Sequence, residues 1–126
     1  MSIPSDLRYT KTHEWIREDG DEWVVGITDF AQQQLGDLTF VELPAEGDVV
    51  EAEGDVVVIE SVKAASDVSA VAAGTITAVN EALESSPEII NNDPYGEGWI
   101  YRIKPNDPAS GDFLDAGQYA GIAPEG

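Results

Sequence analysis

The stretch VVVIESVKAASDVSAV, residues 56–71, decides the fold, because two apolar runs flank a single lysine in it. The β-branched residues of the first run favour a strand, and the second run repeats the pattern. A turn near Lys63 would place the two strands side by side, and the small residues after it would leave the lysine accessible. The sequence therefore predicts a hairpin with Lys63 at its tip.

Two interpretations of Lys63 remain open at this point. The amine of a lysine, on a flexible four-carbon stem, can become an amide and so part of a longer mobile arm. Most lysines are instead ordinary surface residues, and Glu60 and Asp67 are close enough in sequence to form an ion pair with this one. Spacing alone favours the ordinary surface lysine.

The rest of the chain is also rich in strand and turn patterns. Further strands are expected at 13–18, 22–28, 38–43, 74–79 and 98–104. Asp19-Gly20 lies between the first two, as in a hairpin turn. The motif AEGDVV occurs at 45–50 and again at 52–57, which we interpret as two adjacent turn-and-strand units in one sheet.

Short helices are predicted where capping residues precede helical runs. Thr28 or Asp29 can cap DFAQQQL, and Gly36 suits its end. Ser86-Pro87 is placed as the cap and first residue of a second helix. A C-terminal helix, weakened by its glycines, is expected over 112–123. Because no strand-helix-strand alternation occurs, the fold class is mostly β, a sandwich or barrel with short helices.

Composition limits the kind of protein. A length of 126 residues fits one domain, 1–126, and a hydrophobic fraction of 42% with three tryptophans indicates a packed globule. The chain has no cysteine, so it has no disulfide, thiolate metal site or thiol nucleophile of its own. Its first residues, MSIPSDLRYT, lack the features of a signal peptide, and no apolar run reaches about 18 residues. We expect a soluble cytoplasmic protein without a membrane partner.

The charge is strongly negative. The chain has 25 acidic and 6 basic side chains, a net charge of −19 and a pI near 4.1. Such a surface repels phosphate backbones, which argues against a nucleic-acid partner. Self-repulsion would be largely screened at about 1 M salt, where the Debye length is about 3 Å. This predicts a salt-rich cytoplasm, as in a halophile; the alternative is an ordinary acidic protein steered to basic partners.

Most of the chain resembles one known family. Five segments carry the resemblance: YTKTHEWI (9–16), VGITDFAQQQLGDLTFVELPAEGDVV (25–50), ESVKAASDV (60–68), GTITAVNEAL (74–83) and PEIINNDPYGEGWIYRIKP (87–105). In this order they resemble the glycine cleavage system H protein, a carrier related in fold to lipoyl and biotinyl domains. The resemblance implies a barrel-sandwich hybrid with short helices and a C-terminal helix.

The resemblance also implies a function. Lys63 matches the lysine that becomes amide-linked to lipoic acid, the cofactor, through a lipoate ligase or a lipoyl/octanoyl transferase. In the family, glycine decarboxylase, with pyridoxal phosphate, loads an aminomethyl group onto the lipoyl arm. Aminomethyltransferase passes the one-carbon unit to tetrahydrofolate, and dihydrolipoamide dehydrogenase, with FAD, reoxidises the arm. The chain would be a non-catalytic shuttle among them.

Other residues carry over by the same resemblance. Glu60 matches the acid that helps the lipoylating enzyme to select its lysine, and Glu14 and Asp67 match acidic positions of the cleft that receives the loaded arm. In so acidic a chain, each of them could equally be a solvated carboxylate. Gly47 and Gly74 match turn glycines, for which we expect positive φ angles.

Three alternatives compete with this carrier. An H-like protein that relays lipoyl groups to 2-oxoacid dehydrogenase complexes is barely distinguishable by sequence. A biotin carrier is disfavoured, since Val62 and Ala64 flank the lysine where such carriers have methionines. A metal-dependent hydrolase using clustered carboxylates lacks an HExxH motif. His13, the only histidine, is interpreted as a packed or capping residue rather than a general base.

Overall fold

A computed structural model of the chain describes residues 4–107 and 113–122. Strands account for most of the regular structure in those ranges. They are β1 Arg8–Tyr9, β2 Glu14–Asp19, β3 Glu22–Ile27, β4 Leu38–Glu42, β5 Val49–Val50, β6 Asp55–Ser61, β7 Ala65–Ser69, β8 Gly74–Val79 and β9 Tyr101–Pro105. The helices are α1 Asp29–Leu35, α2 Ala82–Ser85, α3 Ile89–Asn92 and α4 Ala116–Ala120. All of these helices are too short to cross a bilayer.

The strands form two antiparallel sheets, which confirms the mostly β class. One sheet has the order β1-β2-β3-β9-β8-β5, and the other has the order β4-β6-β7. Side chains of both sheets, including Ile16, Val25, Ile59, Val68 and Ile103, meet in one buried cluster. Full burial of each such side chain stabilises the fold by about 1.5–3 kcal/mol.

The predicted hairpin of β2 and β3 is present, with its turn one residue later than expected. Asp19 pairs with Glu22, so Gly20 and Asp21 form the turn. Gly20 has a φ of +67°, a left-handed conformation that glycine adopts without steric cost.

The interpretation of the AEGDVV repeat as one sheet is wrong. Its first copy leads into β5, which pairs with β8 in the larger sheet. Its second copy leads into β6, which pairs with β4 and β7 in the smaller sheet. Val57 and Ile59 on β6 are buried in the core between the sheets, and this burial fixes β6 in the opposite layer.

Glycine is required at the two turn positions of that region for different reasons. Gly47 has a φ of +91°, as predicted. Gly74 does not have a positive φ angle, so the predicted positive φ is wrong for this residue. A β-carbon at position 74 would collide with the carbonyl oxygen of Lys104, and this close approach of β8 to β9 explains the glycine.

Helix α1 is as predicted, α2 has no counterpart among the predicted helices, and α3 and α4 are shorter than predicted. The Thr28 hydroxyl accepts a hydrogen bond from the Ala31 N–H, and Gly36 ends the helix. Helix α3 begins at Ile89 rather than at Pro87, because Pro87 lies in the preceding turn, where its carbonyl accepts from the Ile90 N–H.

The predicted C-terminal helix is reduced to α4. Asp112 and Ala123, its expected ends, lie outside the described residues. Leu114 forms a β-bridge with Tyr9. Asp115 then caps α4 through a capping box with Gln118.

Candidate functional site

The hairpin of β6 and β7 places Lys63 at its tip, as the sequence predicts. The Ser61 N–H donates to the Ala64 carbonyl at 2.7 Å. The Ser61 hydroxyl accepts from the Lys63 N–H at 3.3 Å and from the Ala64 N–H at 3.1 Å. The Val62 N–H donates to the Asp37 carbonyl at 3.0 Å, which ties the tip to the segment before β4. The tip is therefore a defined turn.

The Lys63 side chain is exposed, and its amine is available. In the part of the chain that the structure describes, no carboxylate forms an ion pair with it within 4.0 Å, so neither Glu60 nor Asp67 is its partner. Its stem passes over Gly36, where an added β-carbon would lie 3.2 Å from Lys63 Cε. The amine of Lys63 is therefore exposed, on a stem that rests against Gly36.

Asn91 holds the segment on which the tip rests. Its amide nitrogen donates to Gln32 Oε1 at 2.7 Å and to the Gly36 carbonyl at 2.9 Å. Its amide oxygen accepts from the Leu38 N–H at 3.0 Å. These three bonds fix the connection between α1 and β4. Sequence reasoning missed this role, because one asparagine in IINN carries no signal for it.

A cleft of about 360 Å³ opens beside the tip, between α1 and β7. Its walls are formed by Thr12, His13, Glu14, Ile27, Phe30, Ala31, Gln34, Leu35, Ser66, Asp67 and Val68. Glu14 and Asp67, which are distant in sequence, therefore share one cleft. Glu60 is not part of these walls and is exposed to solvent.

Glu14 is the buried carboxylate of the cleft. It is 3% exposed, and Thr10 Oγ1 and Thr12 Oγ1 donate to its Oε1 at 2.7 and 2.6 Å. Burial raises the pKa of Glu14, and the hydrogen bonds from Thr12 and Thr10 partly oppose that rise. Because this carboxyl group is poorly hydrated, a cation that enters the cleft would interact with it strongly. Glu14 is therefore not a solvated surface carboxylate.

His13 packs in the cleft wall, as predicted. Its Nδ1 lies 2.8 Å from Tyr119 Oη, which also contacts Thr28 Oγ1 at 2.6 Å. The imidazole ring lies 4.8 Å from the ring of Phe30. Burial lowers the pKa of His13, which favours the neutral ring at pH 7. Tyr119, whose role the sequence did not predict, thereby anchors α4 to this wall.

Metal ligands are a separate question. Within residues 4–107 and 113–122, no three histidine, aspartate or glutamate side chains are grouped so that they could hold a metal ion.

Comparison with known proteins places the chain in a family. A model of the glycine cleavage H-protein family matches residues 7–124. The chain is 58% identical over 120 residues to a glycine cleavage system H protein of Thermus thermophilus, covering 94% of each chain. It is 56% identical over 119 residues to that of Nitratidesulfovibrio vulgaris, covering 94% of this chain and 93% of the relative.

The fold agrees with a solved structure. A crystal structure of a glycine cleavage system H protein from Mycobacterium marinum matches with a TM-score of 0.88 at 45% identity, covering 94% of this chain and 97% of that chain. The likeness in sequence and in fold thus extends over nearly the whole length of both chains. The chain belongs to the glycine cleavage H-protein family.

Proposed function

We propose that this chain carries a lipoyl group for a glycine cleavage system, with Lys63 as the attachment residue. The family supports the carrier role, in which the chain is a non-catalytic component. One observation carries the choice of Lys63: it is an exposed lysine without an ion pair in the described chain, at the tip of an ordered hairpin. We treat residues 1–126 as one carrier domain.

The residues around Lys63 fit such a cofactor. Lipoic acid, once amide-linked, supplies a disulfide that can be reduced to a dithiol and can hold an aminomethyl group. Ser61 and Asp37 hold the tip, so the amine projects from a fixed base. Gly36 leaves room for the lysine stem beside α1. A tethered group reaches successive active sites at high effective concentration, because it does not diffuse away.

The cleft would receive the loaded end of the arm. Asp67 lies two residues beyond Ala65 in β7, about 7 Å along the strand from the tip. Ile27 and Phe30 offer apolar contacts to a carbon chain, and Glu14 offers a buried carboxylate. An aminomethyl nitrogen is cationic at neutral pH, so the two carboxylates favour its retention. We therefore assign Glu14 and Asp67 to the arm cleft.

The proposed partners follow the family. They are glycine decarboxylase with pyridoxal phosphate, aminomethyltransferase with tetrahydrofolate, dihydrolipoamide dehydrogenase with FAD, and a lipoate ligase or a lipoyl/octanoyl transferase. We assign recognition by the lipoylating enzyme to Glu60, which is exposed and pairs with Ala65 across the hairpin. A cytoplasmic location stays a prediction of the sequence.

We further propose that the acidic surface is an adaptation to a salt-rich cytoplasm. In the described ranges, ion pairs engage four carboxylates, those of Glu18, Asp19, Asp21 and Glu22. The chain has 25 acidic and 6 basic side chains, so a net charge of −19 remains after every cation has been counted. Salt would relieve the remaining repulsion.

Reconstitution tests the carrier role. The lipoylated chain, mixed with the three enzymes, glycine, tetrahydrofolate and NAD, should support glycine-dependent release of carbon dioxide. Lys63→Arg should abolish that release, because an arginine cannot form the lipoyl amide. Lys104→Arg is the matched control, an exposed lysine on β9, and should retain the wild-type rate. Full activity of Lys63→Arg would refute the assignment.

A further inference from the structure

The outer face of the three-stranded sheet differs from the rest of the acidic surface. Strand register places Val41 opposite Ile59, and both are buried, so this pair faces the core. The next pair, Phe40 and Glu60, is exposed and faces outward. Alternation along the strands then defines an outer face formed by Phe40, Glu42, Val58, Glu60, Ala65 and Asp67.

This outer face joins an apolar contact area to the lysine tip. Phe40 is 44% exposed and Val62 is 69% exposed, large values for hydrophobic side chains. Phe40 lies across from Glu60, and Val62 follows Glu60 by two residues at the tip. Two exposed apolar side chains thus border Glu60, with Lys63 next to Val62. Their place beside Lys63, more than their exposure alone, makes them candidate contacts for a partner that must reach this lysine.

The rim of the outer face is negative. Glu42 and Glu60 are exposed carboxylates of this face, and Asp37 lies just before β4. Asp67, on the edge strand β7, is also exposed and lies where the outer face meets the arm cleft. Lys63 is the cation beside them. A partner that fits this face must therefore present an apolar pocket surrounded by lysines or arginines, since complementary charge promotes encounter and excludes other partners.

The reach of an unmodified lysine decides which partner uses the face. The stem of a lysine extends roughly 6 Å, so an enzyme that acts on its amine must contact the surface beside the tip. Enzymes that act on the far end of a lipoyl arm can dock further away, because the arm adds reach. We therefore expect the surface immediately around Lys63 to be the one that the acylating enzyme contacts.

We propose that the outer face of the three-stranded sheet is the docking surface of the enzyme that acylates Lys63, with Phe40 and Val62 as its apolar anchors. This rests on the proposed function. In the reaction, the deprotonated Nζ attacks the carbonyl carbon of lipoyl adenylate. A carbon–nitrogen amide bond forms, the bond from that carbon to the phosphate oxygen breaks, AMP leaves with the electron pair, and the nitrogen loses a proton.

Steady-state acylation tests this docking surface. The unmodified full-length chain is the substrate of a lipoate ligase supplied with ATP and lipoic acid, and kcat/KM is measured by intact mass. Phe40→Ser and Val62→Ser should each lower kcat/KM about tenfold, mainly by raising KM, as truncation of an anchor does. Val49→Ser is the matched control: it is 75% exposed, on β5 at the edge of the other sheet, and should match wild type.

The outcomes separate this inference from the proposed function. The wild-type chain must first be acylated at Lys63. If both Phe40→Ser and Val62→Ser are then acylated at the wild-type rate, the proposed docking surface is refuted and the proposed function is not. Failure of the wild-type chain to be acylated would refute the proposed function as well. Val62 is at the tip and outside the core, so Val62→Ser tests the claim even if Phe40→Ser does not fold. Normal acylation of both, with a raised KM of the decarboxylase for the lipoylated variants, would assign the face to the decarboxylase and contradict the proposal.

Discussion

The stem of Lys63 lies on the backbone of Gly36, so closely that a β-carbon at position 36 would stand 3.2 Å from Lys63 Cε. Gly36 has a φ of +84° and a ψ of −157°, a region that only glycine adopts without strain. The residue that ends α1 therefore also makes room for the lysine. The end of the helix and the position of the attachment residue depend on the same glycine.

Gly36→Ala should impair both stability and acylation. Backbone strain should lower the free energy of unfolding by about 1–3 kcal/mol, and the new methyl group should displace the Lys63 stem. Urea unfolding and the lipoylation rate measure the two effects. Gly20→Ala is the control, with a φ of +67° and nothing within 4 Å of the added carbon. It should cost about 1–2 kcal/mol and leave acylation unchanged; equal slowing by both variants would contradict this account.

Asn91→Ala should loosen the connection between α1 and β4. The substitution removes three hydrogen bonds. The Leu38 N–H loses its acceptor, and the Gly36 carbonyl loses its donor. We expect the free energy of unfolding to fall by about 1–3 kcal/mol. The adjacent Asn92 is exposed, and its side chain has no hydrogen bond within the described chain, so Asn92→Ala should be nearly neutral. Equal urea midpoints for the two variants would count against the role of Asn91.

Glu14→Gln should change how stability depends on pH. Burial raises the pKa of Glu14 in the folded chain above its ordinary 4.5. Between the unfolded and folded pKa values the folded state binds more protons, so the free energy of unfolding falls as pH rises through that window. The glutamine keeps an oxygen for Thr10 and Thr12 and removes the titration.

The expected result is a difference in stability between the two chains that grows with pH. The Glu14→Gln chain should gain stability relative to wild type as pH rises above 4.5, and the gap should stay constant above the folded pKa. Urea unfolding from about pH 4 to about pH 8 measures it. Parallel stability profiles for the two chains would show that burial of this carboxyl group has no energetic effect.

Salt should stabilise the wild-type chain. Repulsion within a net charge of −19 opposes folding in dilute buffer, and about 1 M salt shortens the Debye length to about 3 Å. The urea midpoint should therefore rise between low and molar KCl. A midpoint that stays constant or falls would refute the proposed adaptation to a salt-rich cytoplasm.

Local patterns predicted the local structure well. The Lys63 hairpin followed from two β-branched runs around a turn, and α1 followed from Thr28 and Gly36 as its caps. Long-range pairing was not predictable, because β9 lies between β3 and β8 in the sheet although it follows them both in sequence. The bridge of Leu114 with Tyr9 is equally non-local, and it explains why the predicted C-terminal helix was too long.

In the candidate site, too, local sequence patterns did not predict which distant residues come together. Lys63 stood out because it interrupts an apolar stretch, but spacing gave it no function; the family resemblance did. Glu14 and Asp67 are brought to one cleft by the packing of β2, α1 and β7, which no local pattern encodes. Asn91 and Tyr119 act through side-chain hydrogen bonds with residues far along the chain, so no local pattern in the sequence indicated them.

Mass spectrometry of the protein from its native cells, grown with glycine, tests the central claim most directly. Intact mass and peptide mapping should show a lipoyl-amide increment confined to the peptide that contains Lys63, and Lys63→Arg should lack it. Lys11 and Lys104 are the other lysines of the chain and should be unmodified. An unmodified Lys63 in those cells, or a lipoyl group on another lysine, would contradict the assignment of Lys63 as the carrier residue.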